Sequence, residues 1–382
     1  MKKKLLIIGN DNSIYIKRYI ENILTGTDFE IHLTSLSDNN GRFKDFYIEN
    51  DVKIINLKFN MPVFKFIPKV SGLLQLLTQW KRIMRLKYKY NIVHIHFMEP
   101  LLVAPLARLN WFKGNSAEII ATFWGSDLFR VPDKTLKKVG KSFEYLKYIT
   151  MNSNDLFKKF YQVYSHKYDS KLRMVRWGVA TFDDISTILN DNSKEDCKEF
   201  FGISKEKTVL SIGYNAYRAQ QHLEALRSLT VLPSETWKNT VIVLPMTYGV
   251  ITEKYKNDVM TELQKIGCEY KILDTFISDI DVAKLRLATD IFIHAQTTDA
   301  LSGTMQEYLY AGSVVLNPSW ITYDELHELG VTYIEYKDFN DLPQVTQKLL
   351  SSEIKYNMKN KKILHAFTSW ESVKPNWQDL YA

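Results

Sequence analysis

Short apolar runs recur along the chain, separated by segments long enough for a helix. In the first half they fall at residues 5–9, 31–35, 52–57, 92–97, 118–123, 148–152 and 172–175. Within each run apolar residues follow one another instead of alternating with polar ones, which marks strands buried on both faces of a mostly parallel sheet. A polar stretch at 183–207, containing Asn190, Asp191, Asn192 and Ser193, reads as a linker plus a short helix. The rhythm then restarts at 208–213, 241–245, 270–273, 291–294, 314–317 and 332–334. Two successive open α/β sheets are predicted, with a boundary near 180–195. Ligands of such sheets lie beyond the carboxyl ends of the strands, so two facing sheets imply a central cleft.

The stretch with the most chemistry begins where the run at 291–294 ends. Asp299 and Glu307 stand eight positions apart, with Leu301, Ser302, Gly303 and Thr304 between them, and a helical pattern runs on to Gly312. A strand, a small-residue loop and a helix start form an anion cradle, because unpaired N–H groups and the helix dipole face the same spot. Carboxylates on either side suit sugar hydroxyls, and a diphosphate with hydroxyls is a nucleotide-sugar. The plainer alternative is a capping box, Thr304-x-x-Glu307, in which Glu307 only satisfies the helix start.

Composition narrows the class. The 382 residues suffice for two domains. Cys197 and Cys268 are the only cysteines and have no metal-type spacing, which favours a reducing compartment. The apolar run after Lys4 is too short for a signal-peptide core, and no run of 18 apolar residues occurs; a cytoplasmic location is expected. Residues 1–180 hold 30 Lys and Arg against 15 Asp and Glu, whereas the remainder holds 20 against 28. The basic first half is expected to face an anionic partner. Its densest part is segment 58–90. There Phe59, Phe64, Phe66, Leu73, Leu74, Leu76, Leu77 and Trp80 mix with Lys58, Lys65, Lys69, Lys81, Arg82, Arg85, Lys87 and Lys89. A basic amphipathic segment of this kind can lie on an anionic membrane face, here the inner one, each cation contributing on the order of 1 kcal/mol. The alternative is a solvated helix packed through its leucines.

Several stretches together resemble the GT-B glycosyltransferases, enzymes of two Rossmann-like domains, and within them the family 4-like group that builds bacterial surface polysaccharides. Asp299-x7-Glu307 resembles that group's Glu-x7-Glu signature. Ile212-Gly213 followed by Arg218 resembles its diphosphate loop, although the usual Gly-Arg and Lys-Gly wording is absent. Val93-His94-Ile95-His96 resembles the strand before the acceptor loop, and Thr122-Phe123-Trp124-Gly125-Ser126-Asp127-Leu128 its His-Gly-Ser-Asp stretch, with Trp124 where the group has His. Arg176-Trp177-Gly178-Val179 is similar to the Asn-Gly-Val that leads into the linker, and Phe367-Thr368-Ser369-Trp370 with Trp377 and Tyr381 to the closing helix. Trp124-Gly125-Ser126-Asp127, residues 221–226 and residues 245–249 also resemble the 4-acetamido-4,6-dideoxygalactose transferases of family 56. The resemblance implies an acceptor-binding domain at 1–182, a nucleotide-sugar domain at 195–366, and a helix at 367–382 crossing back to the first. It also implies a hexosyltransferase with no cofactor and no bound metal, its acceptor a glycan or a polyprenyl-diphosphate-linked oligosaccharide.

Sugar transfer requires that the leaving diphosphate be neutralised, the sugar oriented and the acceptor hydroxyl placed. Arg218 is the expected cation, with Ser302, Gly303 and Thr304 as donors and Gly303 admitting close approach of an oxygen. Glu307 is assigned to the ribose and Asp299 to the transferred sugar, while Asn215, Tyr248, Phe276 and Leu301 line the same site. Asp127, then Glu99, are the acid/base candidates. Asn12, Ser13, His96 and Trp124 are assigned to the acceptor, and of His94 and His96 only one is expected to face it. Two rival readings are a nucleotide-sugar epimerase of the same fold, which needs no basic segment, and a nucleic-acid-binding protein. The latter is disfavoured by charge confined to one half and by the lack of a recognition motif.

Overall fold

The computed structural model describes residues 2–36, 41–58, 68–86, 89–113, 117–249, 252–299, 301–352 and 358–382. The chain divides into two compact units, Met1–Trp177 with Val373–Ala382, and Gly178–Ser372.

In the first unit the apolar runs become β1 (Lys3–Ile8), β2 (Phe29–Ser35), β3 (Lys53–Asn56), β4 (Ile92–His96), β5 (Glu118–Thr122), β6 (Tyr148–Met151) and β7 (Leu172–Met174). They form one sheet in the order β3-β2-β1-β4-β5-β6-β7. Every pairing is parallel. The direction of winding reverses between β1 and β4, where Ile8 lies opposite Ile95. The runs are continuous because both faces are covered: Leu5, Leu6, Ile7, Ile95, Ile119, Ile120 and Ile149 are all buried.

The second unit repeats the plan with β8 (Thr208–Ile212), β9 (Thr240–Pro245), β10 (Glu269–Leu273), β11 (Ile291–Ile293), β12 (Val314–Pro318) and β13 (Ile334–Tyr336), ordered β10-β9-β8-β11-β12-β13. Its reversal lies between β8 and β11, where Ile212 is opposite Ile293. The last strand sits two residues later than the run at 332–334 suggests, because Leu316 and Pro318 pair with Ile334 and Tyr336.

The stretch at 183–207, read as a linker plus a short helix, is more helical than that. It forms much of two helices of the second unit, Thr181–Asp191 and Lys194–Phe200. Phe182, Ile185 and Ile188, spaced every three residues, bury one face of the first. Ser193 starts the second with a complete capping box: its Oγ accepts from Asp196 N, and the Asp196 carboxylate accepts from Ser193 N.

Part of the basic segment, 59–67 and 87–88, lies outside the described residues, as do the side chains of 68–70. The helix Pro68–Met84 carries the remainder. Gln75 and Trp80 tie it down by donating to Leu57 O and Leu101 O. Leu73, Leu77, Lys81 and Arg85, spaced four apart, are all exposed. No helix among the described residues is long and apolar enough to cross a membrane.

Candidate functional site

The carboxyl ends of β8 and β11 meet at the reversal of the second sheet, where open α/β sheets hold their ligands. After β8 the chain turns sharply at Gly213, whose φ is +67°; a Cβ there would lie 2.6 Å from His222 Nε2. Tyr214 and Gln220 follow, and both donate to Gln296 Oε1 in the loop after β11, joining the two loops. Gln296 Nε2 donates in turn to Thr298 O at 2.8 Å.

The β11 loop ends at the helix Gly303–Ala311. Its N-cap is Ser302, whose Oγ accepts from Met305 N at 3.2 Å. The Thr304–Glu307 capping box considered from sequence does not form, because the helix begins two residues earlier and Ser302 takes that task. Glu307 instead accepts from Thr181 Oγ1 and Arg286 Nε, both at 2.9 Å. Arg286 is buried, and its Nη1 donates to Tyr308 OH at 2.9 Å. A carboxylate has about four lone-pair sites, so Glu307 is held in place with acceptor capacity left over. Asp299 lies beside the buried His294, its Oδ2 at 3.8 Å from Nε2.

Other predicted residues spread outward along the sheet. Asn215 receives Tyr217 N on Oδ1 at 2.9 Å and donates to Tyr248 OH at 3.4 Å, linking the β8 loop to the β9 loop. Arg218 is exposed, its guanidinium 5.3 Å from the centre of the Tyr255 ring. Phe276 follows β10 at the sheet edge, two strands from β8, and is exposed. Leu301 packs partly against the core. Arg286, Thr181, Gln296 and His294 were not singled out from sequence, since each acquires its meaning only through a distant partner.

In the first unit the ends of β4 and β5 carry the predicted residues. Asp127 is 1 % exposed. Its Oδ1 accepts from Trp124 N and Gly125 N, both at 2.9 Å, and its Oδ2 from Met98 N at 2.7 Å. Burial pushes its carboxyl up to about 6, while the three N–H groups pull the other way. Held in this way, Asp127 braces the loops that follow β4 and β5. Glu99 is half-buried and caps the helix Pro100–Arg108 through Leu101 N at 3.2 Å.

His94 and His96 need correction. Residues two apart on a strand share a face, and their rings lie 4.0 Å apart. His94 bonds Tyr381 OH at 2.6 Å and Thr122 Oγ1 at 2.7 Å. His96 is buried with neither ring nitrogen bonded, and Tyr19, Trp124, Trp177 and Trp377 ring it within 6.2 Å or less. Burial depresses it to about 3, so it is neutral. Trp124 Nε1 is likewise buried and unbonded. Asn12 accepts from Arg42 N at 2.8 Å, and Ser13 begins the helix Ile14–Tyr19 without a side-chain cap. Among the described residues no cluster of three His, Cys, Asp or Glu side chains is arranged to hold a metal ion.

Residues 4–159 match the model of the glycosyl transferase 4-like family. Three solved structures superpose over nearly the whole chain. One is HepE from Anabaena in complex with UDP and glucose, with 12% identity, 99% of each chain covered and a TM-score of 0.68. Another is a glycosyltransferase from Rickettsia africae, with 17% identity, 100% of this chain and 98% of that one covered, and a TM-score of 0.72. The third is sucrose-phosphate synthase from Thermosynechococcus elongatus, with 13% identity, coverage of 99% and 98%, and a TM-score of 0.73.

The fold is that of the GT-B glycosyltransferases.

No curated protein matches the chain. Within the GT-B fold, the family match lies in the first unit, and the Asp299–Glu307 stretch occupies the strand reversal of the second.

Proposed function

We propose that this chain transfers a hexose from a nucleoside-diphosphate donor to a glycan or polyprenyl-diphosphate-linked acceptor in the building of a surface polysaccharide. The carrying observation is the convergence of Asp299, the Ser302-capped helix start and the Arg286-anchored Glu307 at the reversal of the second sheet. HepE, of similar fold, is solved with UDP and glucose, which supports a donor of this class.

In this reading the free N–H groups at Gly303 and Thr304 receive the diphosphate, with Arg218 supplying a cation, so that charge on the leaving group is stabilised without a metal. Glu307 takes the ribose hydroxyls and Asp299 the transferred sugar. Asn215 and Tyr248 border the nucleotide. The first unit takes the acceptor. There Trp124 offers an aromatic ring suited to the apolar side of a sugar, with the buried His96 packed against it. With Asp127 engaged as a brace, Glu99 is the carboxylate left to receive the acceptor proton.

Calorimetric titration with UDP, TDP and GDP, against an oligonucleotide of equal charge, tests the donor reading. Binding of one diphosphate with a dissociation constant in the micromolar range is expected; binding of the oligonucleotide alone would overturn it. The chain also acts at the cytoplasmic face of a membrane in this proposal, through the exposed Leu73, Leu77, Lys81 and Arg85 row. Flotation with anionic but not neutral vesicles is the expected outcome, and equal behaviour with both would discard it.

A further inference from the structure

We infer that His294 is a second specificity-determining residue for the donor sugar: its Nε2 and the Asp299 carboxylate form a pair of acceptors that reads two neighbouring hydroxyls of a pyranose. The inference rests on the donor reading above and deepens it.

His294 follows β11 directly and is fully buried. Its N–H donates to Leu316 O at 2.9 Å, and its carbonyl accepts from Tyr336 OH at 2.8 Å. The ring has little freedom. Asn317, also fully buried, fixes the tautomer. Its Nδ2 donates to Pro318 O at 3.1 Å and Ile321 O at 2.8 Å, so the atom it turns to His294 Nδ1, at 2.9 Å, is the acceptor Oδ1. Nδ1 must then carry the hydrogen. In the neutral imidazole this leaves Nε2 as a lone-pair acceptor. Burial favours that neutral form by lowering the basicity of the ring, with Asp299 acting in the opposite sense.

Nε2 is buried without a hydrogen-bond partner among the described residues, and it faces Asp299 Oδ2 at 3.8 Å. Two acceptors cannot satisfy each other, and leaving the buried Nε2 unmet costs free energy. A group that meets Nε2 and also reaches the Asp299 carboxylate, whose oxygens offer about four lone-pair sites, must carry two donors on adjacent atoms. A vicinal diol does so, one hydroxyl to each acceptor. A diphosphate, with only acceptor oxygens, is turned away from this corner and towards the helix start at Gly303. The pair thus separates the sugar end of a donor from its phosphate end.

The test measures affinities of UDP, UDP-glucose, UDP-galactose and their monodeoxy analogues for the wild-type protein and for His294→Phe. Two adjacent positions should be sensitive in the wild type, one weakening binding about tenfold or more where Asp299 receives the hydroxyl, the other about threefold or more where His294 does. In His294→Phe the second sensitivity should vanish while affinity for UDP itself stays within about twofold. Sensitivity at no hydroxyl, or at isolated ones, would overturn the inference even if the variant fails to fold. So would both sensitivities persisting in the variant. Failure of UDP, TDP and GDP alike to bind would instead remove the donor reading, and this inference with it. Nitrogen NMR of histidine-labelled protein provides a further check: a His294 imidazolium at neutral pH would exclude the acceptor role.

Discussion

The two units share one plan and line it with different side chains. Each sheet reverses beside a strand with a histidine at its carboxyl end: Ile95 opposite Ile8 precedes His96, the last residue of β4, and Ile293 opposite Ile212 precedes His294, the first residue after β11. His96 is enclosed by aromatic rings with both nitrogens unbonded, whereas His294 is locked by Asn317 and faces a carboxylate. Around the first lies a basic, aromatic half of the chain, around the second an acidic one with a polar network. The fold therefore decides where a ligand meets each sheet, and a few side chains decide what kind of ligand it is. In the function proposed above, the aromatic rings of the first unit meet the face of a sugar, and the carboxylates and capped helix start of the second meet hydroxyls and a diphosphate.

The strongest way to break this contrast is Glu307→Ala. Arg286 is buried and paired with Glu307, so the variant leaves an uncompensated charge, which costs about 3 kcal/mol in comparable buried pairs. UDP affinity should fall at least about tenfold beyond that, because a charged acceptor of hydroxyls is lost. Denaturant unfolding and calorimetry separate the two effects. Wild-type UDP affinity in a folded variant would leave Glu307 a purely structural residue.

Next in size is Asp127→Asn in the first unit. The amide keeps one acceptor oxygen and turns an NH2 towards a backbone donor, so stability should fall by roughly 2 kcal/mol. UDP binding by the second unit should stay unchanged. A variant of native stability with lost turnover would restore Asp127 as the base and undo the bracing role.

A third test uses pH and addresses a histidine in each unit. Burial lowers His96 to about 3 and His222 to about 4, from an ordinary value of 6.5. Below pH 6.5 the unfolded chain binds protons that the folded one refuses, so stability is lost as pH falls, at about 1.4 kcal/mol per unit for each histidine. Asp127, pushed up to about 6, acts in the opposite sense between about pH 6 and 4, because its folded form takes the proton first. Unfolding at pH 7, 6 and 5 should show a net decline, and replacing His222 by Gln should make it shallower. An unchanged slope in that variant would mean the buried ring is already charged.

Much of this was legible in the sequence, for a physical reason. Strands buried on both faces must be apolar throughout, so all of the runs at 5–9 through 314–317 reappear as parallel strands, and the last is displaced by only two residues. Of the two helices at 181–200 the sequence shows only one short helix, because their buried residues are few and set among charges; the Ser193–Asp196 capping pair is the available signal for the second. Positions set by local sequence, such as Ser302 before the helix, were within reach. Pairs that form across the fold were not: nothing local to Asp127 shows that Met98 N will meet it, and nothing near Glu307 announces Arg286. Which residue of a motif meets a ligand and which holds the scaffold is decided by such distant partners.

The smallest expected effect on the fold tests the second unit most cleanly. Among the described residues a Cβ at Gly303 would find nothing within 4 Å, and the glycine lies at the first helical position. Alanine suits a helix at least as well as glycine, so Gly303→Ala should leave stability unchanged or raise it by less than about 1 kcal/mol. In the function proposed above, the added methyl stands where a phosphate oxygen comes close to the N–H groups of Gly303 and Thr304. If the diphosphate lies there, the variant should unfold like the wild type yet bind UDP about tenfold more weakly or worse. A small group that touches nothing in the protein can weaken binding in this way only by touching the ligand; undiminished UDP affinity would place the phosphates elsewhere and return this helix start to the scaffold.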